Sequence, residues 1–471
     1  MVSPLQYIFN HACSAAVYPD GLKTARIVPV YKSGDKDQIE NYRPISVLSV
    51  INTIFEKLIH KQLSSFLEKC DVFSKSQYGF RRGMSTSTAV LAVTDKINEA
   101  LNSSYFSVGL FVDLRKAFDT VDHDILLRKL CCYGIRGKGW DFIRSYLSSR
   151  VVFSSVYGVS SLHLPLSIGV PQGSVLGPLL FSLYVNDLPM ATELLSTFMY
   201  ADDTCFFYSS KSASNVAQIV QSEAEKLVHW FSANHLSLNM SKTKYVLFRK
   251  PSVSHTRIDI TICGHLVGQV ESVSYLGVIL DSTLTWKPHI NKVSMKLSRS
   301  CHALLLARQC FPLSILRQLY FALIQSHITY CVTSWGNTYP SYSQCLFKLQ
   351  KRSLRFITFS HSLTSSAKLF RTLNILPFPD LVRERYALLV HSIVTRGTPF
   401  SNTMFRSCER NNRSVSFNDF LLYRPCNTYG SRMIVCYGPK LWNSLPPHLK
   451  GSKICPKLLK QYICSTSVYL G

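Results

Sequence analysis

The sequence has no run of about 18 uninterrupted apolar residues, so no membrane-spanning helix is expected and no membrane partner is read. From Met1 to Pro19 there is no basic stretch, which argues against a secretory signal. None of the 15 cysteines stand as Cys-x-x-Cys, so zinc-ribbon and thioredoxin spacings are missing. An odd cysteine number in a long chain points to reduced thiols inside a cell, with nucleus and cytoplasm undistinguished. Acidic residues are scarce: 27 Asp and Glu against 52 Lys and Arg, a net charge of +25. The scarcity is uneven. From Thr285 to Gly471 only Asp380, Glu384, Glu409 and Asp419 oppose 25 Lys and Arg. Residues 1–284 are nearly balanced. A polyanion is the partner such a chain suits best, a merely basic soluble protein being the alternative.

Hydrophobic residues make up 46% of the 471, enough for sizeable cores and for two or three packed units. Ala25–Tyr31 reads as a strand. Ile51–Leu67 has helical apolar spacing, and Val108–Val112 reads as a buried strand ending at Asp113. Helices are expected over Asp124–Tyr133, Gly139–Ser149, Val175–Asn186 (with Ser174 as N-cap) and Ala217–Ala233. Val151–Val159 is β-rich, Ser196–Tyr208 reads as a hairpin, and Tyr275–Asp281 as one strand. The fold class is α+β. Beyond Thr285 the pattern is mainly helical to about His391, and from Thr395 the tail reads as more loop-like. The expected division is 1–284, a helical basic region 285–394, and a basic extension 395–471.

Three acids stand where an apolar strand would not tolerate them without compensation. Asp113 follows Gly109-Leu-Phe-Val, and Asp202-Asp203 interrupt Phe198-Met-Tyr-Ala-Asp-Asp-Thr-Cys-Phe-Phe. Adjacent residues of a regular strand point oppositely, so a tight turn between Asp202 and Asp203 is needed to aim both at one place. Nucleotidyl transfer on two divalent ions needs such carboxylates. The alternative is three polar residues at strand ends.

In their surrounding words these residues resemble the reverse transcriptases of non-long-terminal-repeat (LINE-type) retrotransposons. Seven words occur in the order of that class. They are Asn41-Tyr-Arg-Pro-Ile-Ser, Gln77-Tyr-Gly-Phe-Arg-Arg-Gly-Met-Ser-Thr, Phe111-Val-Asp-Leu-Arg-Lys-Ala-Phe-Asp-Thr-Val, Gly169-Val-Pro-Gln-Gly-Ser-Val-Leu-Gly-Pro, Tyr200-Ala-Asp-Asp, Leu238-Asn-Met-Ser-Lys-Thr-Lys and Tyr275-Leu-Gly-Val. The resemblance covers roughly Arg26–Asp281 and continues more weakly to Trp442-Asn-Ser-Leu-Pro. It implies a right-hand polymerase of fingers, palm and thumb that copies an RNA template onto a DNA primer from deoxynucleoside triphosphates. It implies that Asp113, Asp202 and Asp203 hold two Mg2+ ions, with Mn2+ as a substitute. Lys32 and Arg43 would hold incoming phosphates, Arg43 through its planar fork. Phe118, five positions after Asp113, would reject the ribose 2′-hydroxyl sterically, or serve as a core residue. Gln172 would contact template or nucleotide, Gly173 would let backbone approach closely, and Lys242 would protonate the leaving pyrophosphate. For Lys32, Arg43 and Lys242 the alternative is a solvated surface charge.

Within Phe347–Phe359, Lys348, Lys351, Arg352 and Arg355 fall at i, i+3, i+4 and i+7, one helical face suited to the phosphates of a duplex. Such a face could instead lie on anionic membrane or face water. Complete elements of the class carry an endonuclease, which has no counterpart here, so a separate endonuclease is a possible partner. The most N-terminal polymerase motif is expected to be partly missing. The alternative function is an inactive, truncated transposon remnant that binds nucleic acid.

Overall fold

The computed structural model describes residues 2–156, 158–253, 256–396, 404–406, 419–451 and 454–470. Helix α1 (Val2–Ala15) leads into a strand pair, β1 (Thr24–Tyr31) and β2 (Tyr42–Val47). These are antiparallel, with Val30 opposite Arg43. Helix α2 (Val50–Lys69) starts at Ser49, whose hydroxyl accepts the Asn52 N–H at 3.1 Å. Helix α3 (Thr86–Asn102) is fixed by a reciprocal cap between Ser85 and Thr88. Twelve of its 17 residues are buried. The sequence reading named no element there.

Next come β3 (Phe106–Val112), α4 (His123–Cys132), α5 (Lys138–Leu147), β4 (Arg150–Val156), two short strands β5 (Val159–Ser160) and β6 (Leu164–Leu166), and α6 (Gly177–Tyr184). The hairpin β7 (Ser196–Tyr200) and β8 (Asp203–Ser210), then α7 (Ala213–Ala233) and β9 (Lys244–Phe248), follow. The short strands β10 (Thr261–Ile262), β11 (His265–Leu266) and β12 (Gly268–Gln269) come before the hairpin β13 (Ser272–Tyr275) and β14 (Val278–Asp281). The single strand expected over Tyr275–Asp281 is thus the second half of a hairpin, because Leu276 and Gly277 take left-handed backbone and turn the chain. Helix α6 begins at Gly177, two residues later than its apolar pattern suggested. Ser174 still serves it, accepting the Gly177 N–H at 2.9 Å.

The central sheet runs β12-β9-β3-β8-β7, with β3 in the middle and antiparallel to both neighbours. It is buried on both faces. Val108, Leu110 and Val112 join one core with Leu126, Phe142, Leu179 and Val220 from α4 to α7. Phe111, Cys205 and Phe248 join the other, with α3 and the C-terminal helices. Burial on both sides explains why β3 reads as a continuous apolar run rather than an alternation.

The second core is completed by α8 (Lys287–Ala307), α9 (Leu313–Tyr320), α10 (Ser326–Thr329), α11 (Val332–Trp335), α12 (Pro340–Ile357), α13 (Ser366–Leu373) and α14 (Phe378–Arg396). A π-helical segment, Phe321–Gln325, joins α9 to α10. The tail is not loop-like throughout: α15 (Thr428–Arg432), α16 (Ile434–Ser444) and α17 (Pro456–Ser465) bury Ile434, Trp442 and Leu459 in the same core. Its Ser, Asn and Pro content hid short helices whose stability comes from packing rather than propensity.

Candidate active site

Val112 pairs with Thr204 across β3 and β8. In antiparallel register the next residues, Asp113 and Asp203, come side by side at one end of the central sheet. Tyr200 pairs with Asp203, leaving Ala201-Asp202 as a two-residue turn. The turn therefore falls one residue before the expected place, and Asp203 is the first residue of β8. Ala201 sits at φ 56°, an uncommon conformation for a residue with a Cβ.

The carboxylates act on one another. Burial of its surroundings, then Asp202 and Asp113, push the Asp203 carboxyl up to about 6. Burial and Asp113 raise Asp202 as well, opposed by Arg43 and Lys32. Both side chains nevertheless stay open to solvent. The three acids thus lie within electrostatic reach of one another, and Asp202 also within reach of the exposed Arg43 on β2 and Lys32 just after β1. Asp113 is oriented by a residue the sequence reading passed over. Asn239 Nδ2 donates to Asp113 Oδ2 at 2.9 Å, and the Asn239 N–H donates to the Asp113 carbonyl at 2.8 Å. Its signal lay in the Leu238-Asn-Met-Ser-Lys word. Lys242 Nζ is 4.0 Å from Asp113 Oδ2, while its side chain stays largely exposed.

Gln172 is occupied by the protein itself: its Nε2 donates to Asp119 Oδ1 at 2.8 Å. Its carbonyl accepts the Ser46 N–H at 2.6 Å, tying the Pro171–Ser174 loop to β2. Gly173, at φ 113°, permits this approach, since a Cβ there would lie 2.7 Å from the Ser46 carbonyl oxygen. Phe118 is half-buried and stacks on Phe181 with ring centroids 4.6 Å apart. It is a packed residue with part of its side chain still exposed. Glu56 on α2 was also passed over. It is fully buried and accepts from Val175 N at 2.5 Å, Leu176 N at 3.4 Å, Asn52 Nδ2 at 3.0 Å and Tyr146 Oη at 3.0 Å. No spacing rule flags a lone Glu within an amphipathic helix.

Among the described residues no three His, Cys, Asp or Glu side chains are close enough to form a ready-made metal cage. The donor type still suits a hard divalent cation. Carboxylate oxygens open to solvent repel one another, and a cation would relieve that repulsion.

The family model described as reverse transcriptase (RNA-dependent DNA polymerase) matches residues 31–280. This chain belongs to the reverse transcriptase family. It is 30% identical over 390 residues to the probable RNA-directed DNA polymerase from transposon BS of Drosophila melanogaster, covering 79% of this chain and 42% of that protein. The polymerase from the mobile element jockey of the same organism is 29% identical over 368 residues, 75% of this chain and 40% of the relative. The chain thus spans about two fifths of the length of these relatives. Their transposon origin agrees with the LINE-type word order. Among solved structures the chain is similar to apo telomerase from Candida Tropicalis, with 13% identity, 83% of this chain and 71% of that one covered, and a TM-score of 0.43.

The basic face of this chain lies on α12, but its four residues differ in circumstance. Lys348 and Arg352 are exposed. Lys351 Nζ rests 4.0 Å from the Phe347 ring centroid. Arg355 is half-buried, and its Nε and Nη2 donate to the Thr364 carbonyl at 3.2 and 3.0 Å. Arg355 therefore holds the loop after α12 and is not a free surface charge. No described helix is long and apolar enough to cross a membrane.

Proposed function

We propose that this chain is the polymerase portion of a retrotransposon RNA-directed DNA polymerase, adding deoxynucleotides to a DNA primer on an RNA template. The observation that carries this is the β3–β8 register, which sets Asp113 beside Asp203 at the hairpin that bears Asp202. In this reading Asp113, Asp202 and Asp203 hold two Mg2+ ions, for which Mn2+ can substitute. The ions supply charge stabilisation to the attacking and leaving oxygens. Lys32 and Arg43 receive the triphosphate, a role supported by their electrostatic reach to Asp202. Lys242, poised near Asp113, gives a proton to the departing pyrophosphate. The open side of Phe118 excludes the 2′-hydroxyl. Gln172 holds the nucleotide site through Asp119 or turns from it to a base. Residues 1–284 act as fingers and palm, 285–394 as thumb and 395–471 as an extension. Lys348, Lys351 and Arg352 lie along the phosphates of the template–primer duplex, with Arg355 mainly supporting the helix end. An endonuclease activity, in the same protein or in a separate one, provides the nick.

The test is primer extension on an RNA template with Mg2+, supplying deoxynucleotides or ribonucleotides in parallel. DNA product alone is expected. Asp202→Asn should lower the rate by at least about 10²-fold while leaving the melting temperature unchanged or raised, because the substitution removes a repelled charge. Folded protein that binds RNA equally in both forms, and extends in neither, would overturn the polymerase reading.

A further inference from the structure

Gln77 belongs to a sequence word to which the polymerase reading assigns no part in the chemistry. It is fully buried. Its Oε1 accepts two backbone N–H groups, that of Gly79 at 2.8 Å and that of Ala201 at 3.4 Å. Two donors on one oxygen dictate which way the amide faces. Ala201 is the residue whose left-handed backbone makes the Ala201-Asp202 turn. The same segment grips β7 below the turn. The Tyr78 N–H donates to the Met199 carbonyl, and the Met199 N–H to the Ser76 carbonyl, both at 2.8 Å. Gly79 lies against the turn itself. A Cβ there would be 2.5 Å from the Ala201 nitrogen and 3.1 Å from the Tyr200 carbonyl carbon.

We infer that Gln77 is a positioning residue: its amide oxygen, with Gly79 packed beside it, clamps the tip of the hairpin that carries Asp202 and Asp203. The physical need is plain. A non-glycine residue in a sparsely populated conformation persists only where its surroundings over-determine it. Two strands alone do not dictate the tip, because the turn residues lie outside the ladder. The clamp comes from a segment more than a hundred residues earlier in the chain. Its position therefore ties the carboxylates to the fingers side of the molecule. Gln77 touches no reacting atom; it acts through the backbone of Ala201.

The kinetic consequence rests on the proposed polymerase reading; the structural one does not, and two readouts separate them. The first is amide hydrogen exchange of the full chain, followed over residues 198–206. Gln77→Met, similar in size but without the acceptor, should speed exchange at the hairpin tip. Gln77→Glu, which keeps an acceptor oxygen, should restore protection. The second is primer extension. Gln77→Met should lower kcat on the order of 10- to 100-fold, as a displacement of about 1 Å at reacting groups does. KM for deoxynucleotide should stay within about twofold, since uniform binding is untouched, and Gln77→Glu should recover much of the rate. Gly79→Ala, whose Cβ would crowd both the Ala201 nitrogen and, at 3.1 Å, the Gln77 amide oxygen, should reproduce the loss. Unchanged exchange at the tip in Gln77→Met overturns the inference. So does faster exchange across the whole central sheet, which would mean a general core role, or parental kcat in that variant. A parent chain that extends no primer would defeat the polymerase reading, and the exchange result would still decide the clamp.

Discussion

Asp95 is a buried carboxyl under the first turn of α16, where its two oxygens share the Ile434 N–H at 3.2 and 3.4 Å. Burial pushes it up to about 7, with Glu99 adding to the shift and the Ile434 N–H and Lys96 opposing it. The folded state therefore favours the protonated form relative to the unfolded chain. The associated stability is complete below about pH 4 and is lost as pH rises through about 7. Chemical denaturation from pH 5 to 8 should show stability falling with pH. Asp95→Asn, which keeps one acceptor, should flatten the slope and be the more stable form at pH 8, by on the order of a few kcal/mol. A slope unchanged by the substitution would mean that other groups set it. Burial raises Asp202 and Asp203 in the same direction, but there the neighbouring acids add to the shift, Arg43 and Lys32 oppose it at Asp202, and Asn239 orients the nearby Asp113.

At the scale of elements, Glu56 joins α2 to the start of α6 by accepting the two N–H groups that the Pro171–Ser174 loop leaves unpaired. Glu56→Ala should cost about 3–5 kcal/mol in denaturant unfolding, because buried donors lose their partner. Glu56→Gln, which retains one acceptor, should cost less. Helix α12 permits a sharper comparison on one face. Removing Lys348 and Arg352 together should weaken template–primer binding and reduce the slope of log affinity against log salt by about 2. Arg355→Ala should instead lower the melting temperature, since it frees the Thr364 carbonyl. Equal salt slopes for wild type and the double variant would remove α12 from the nucleic-acid path. The helix itself was legible from the i, i+3, i+4, i+7 spacing. Which of its cations is already engaged was not, because Thr364 lies beyond the helix end and meets Arg355 only through the loop's return.

At the scale of the whole molecule, the tail closes on the end of α3 and on the segment that follows β14. Asn427 Nδ2 donates to the Leu101 and Asn102 carbonyls at 3.3 and 3.2 Å. Tyr429 Oη donates to the Thr283 carbonyl at 2.9 Å, and Arg432 Nη1 to that of Leu284 at 3.2 Å. One apolar core runs from Tyr78 to Leu470. A chain ending at Arg396 should therefore melt well below the full chain and aggregate, as the apolar face left on α3 is uncovered. A shortened protein with the parental melting temperature would make the tail an independent appendage.

Sequence alone determined the family through seven ordered words and the α+β class through its periodicities, and it singled out three carboxylates as candidates through acids placed where apolar strands end. These are local signals, carried by a few neighbouring residues each. The hairpin in place of a strand at Tyr275–Asp281 and the helices of the tail were decided by turns and packing that composition does not encode. The tertiary structure alone decided that Asp113 meets Asp203, that Asn239 aims Asp113, and that Gln77 reaches the turn at Ala201. It also decided that Gln172 is held by Asp119 and that α3 lies buried between the central sheet and the tail. Each joins residues tens to hundreds of positions apart, and sheet register with two-sided burial, rather than any neighbouring residue, sets those distances.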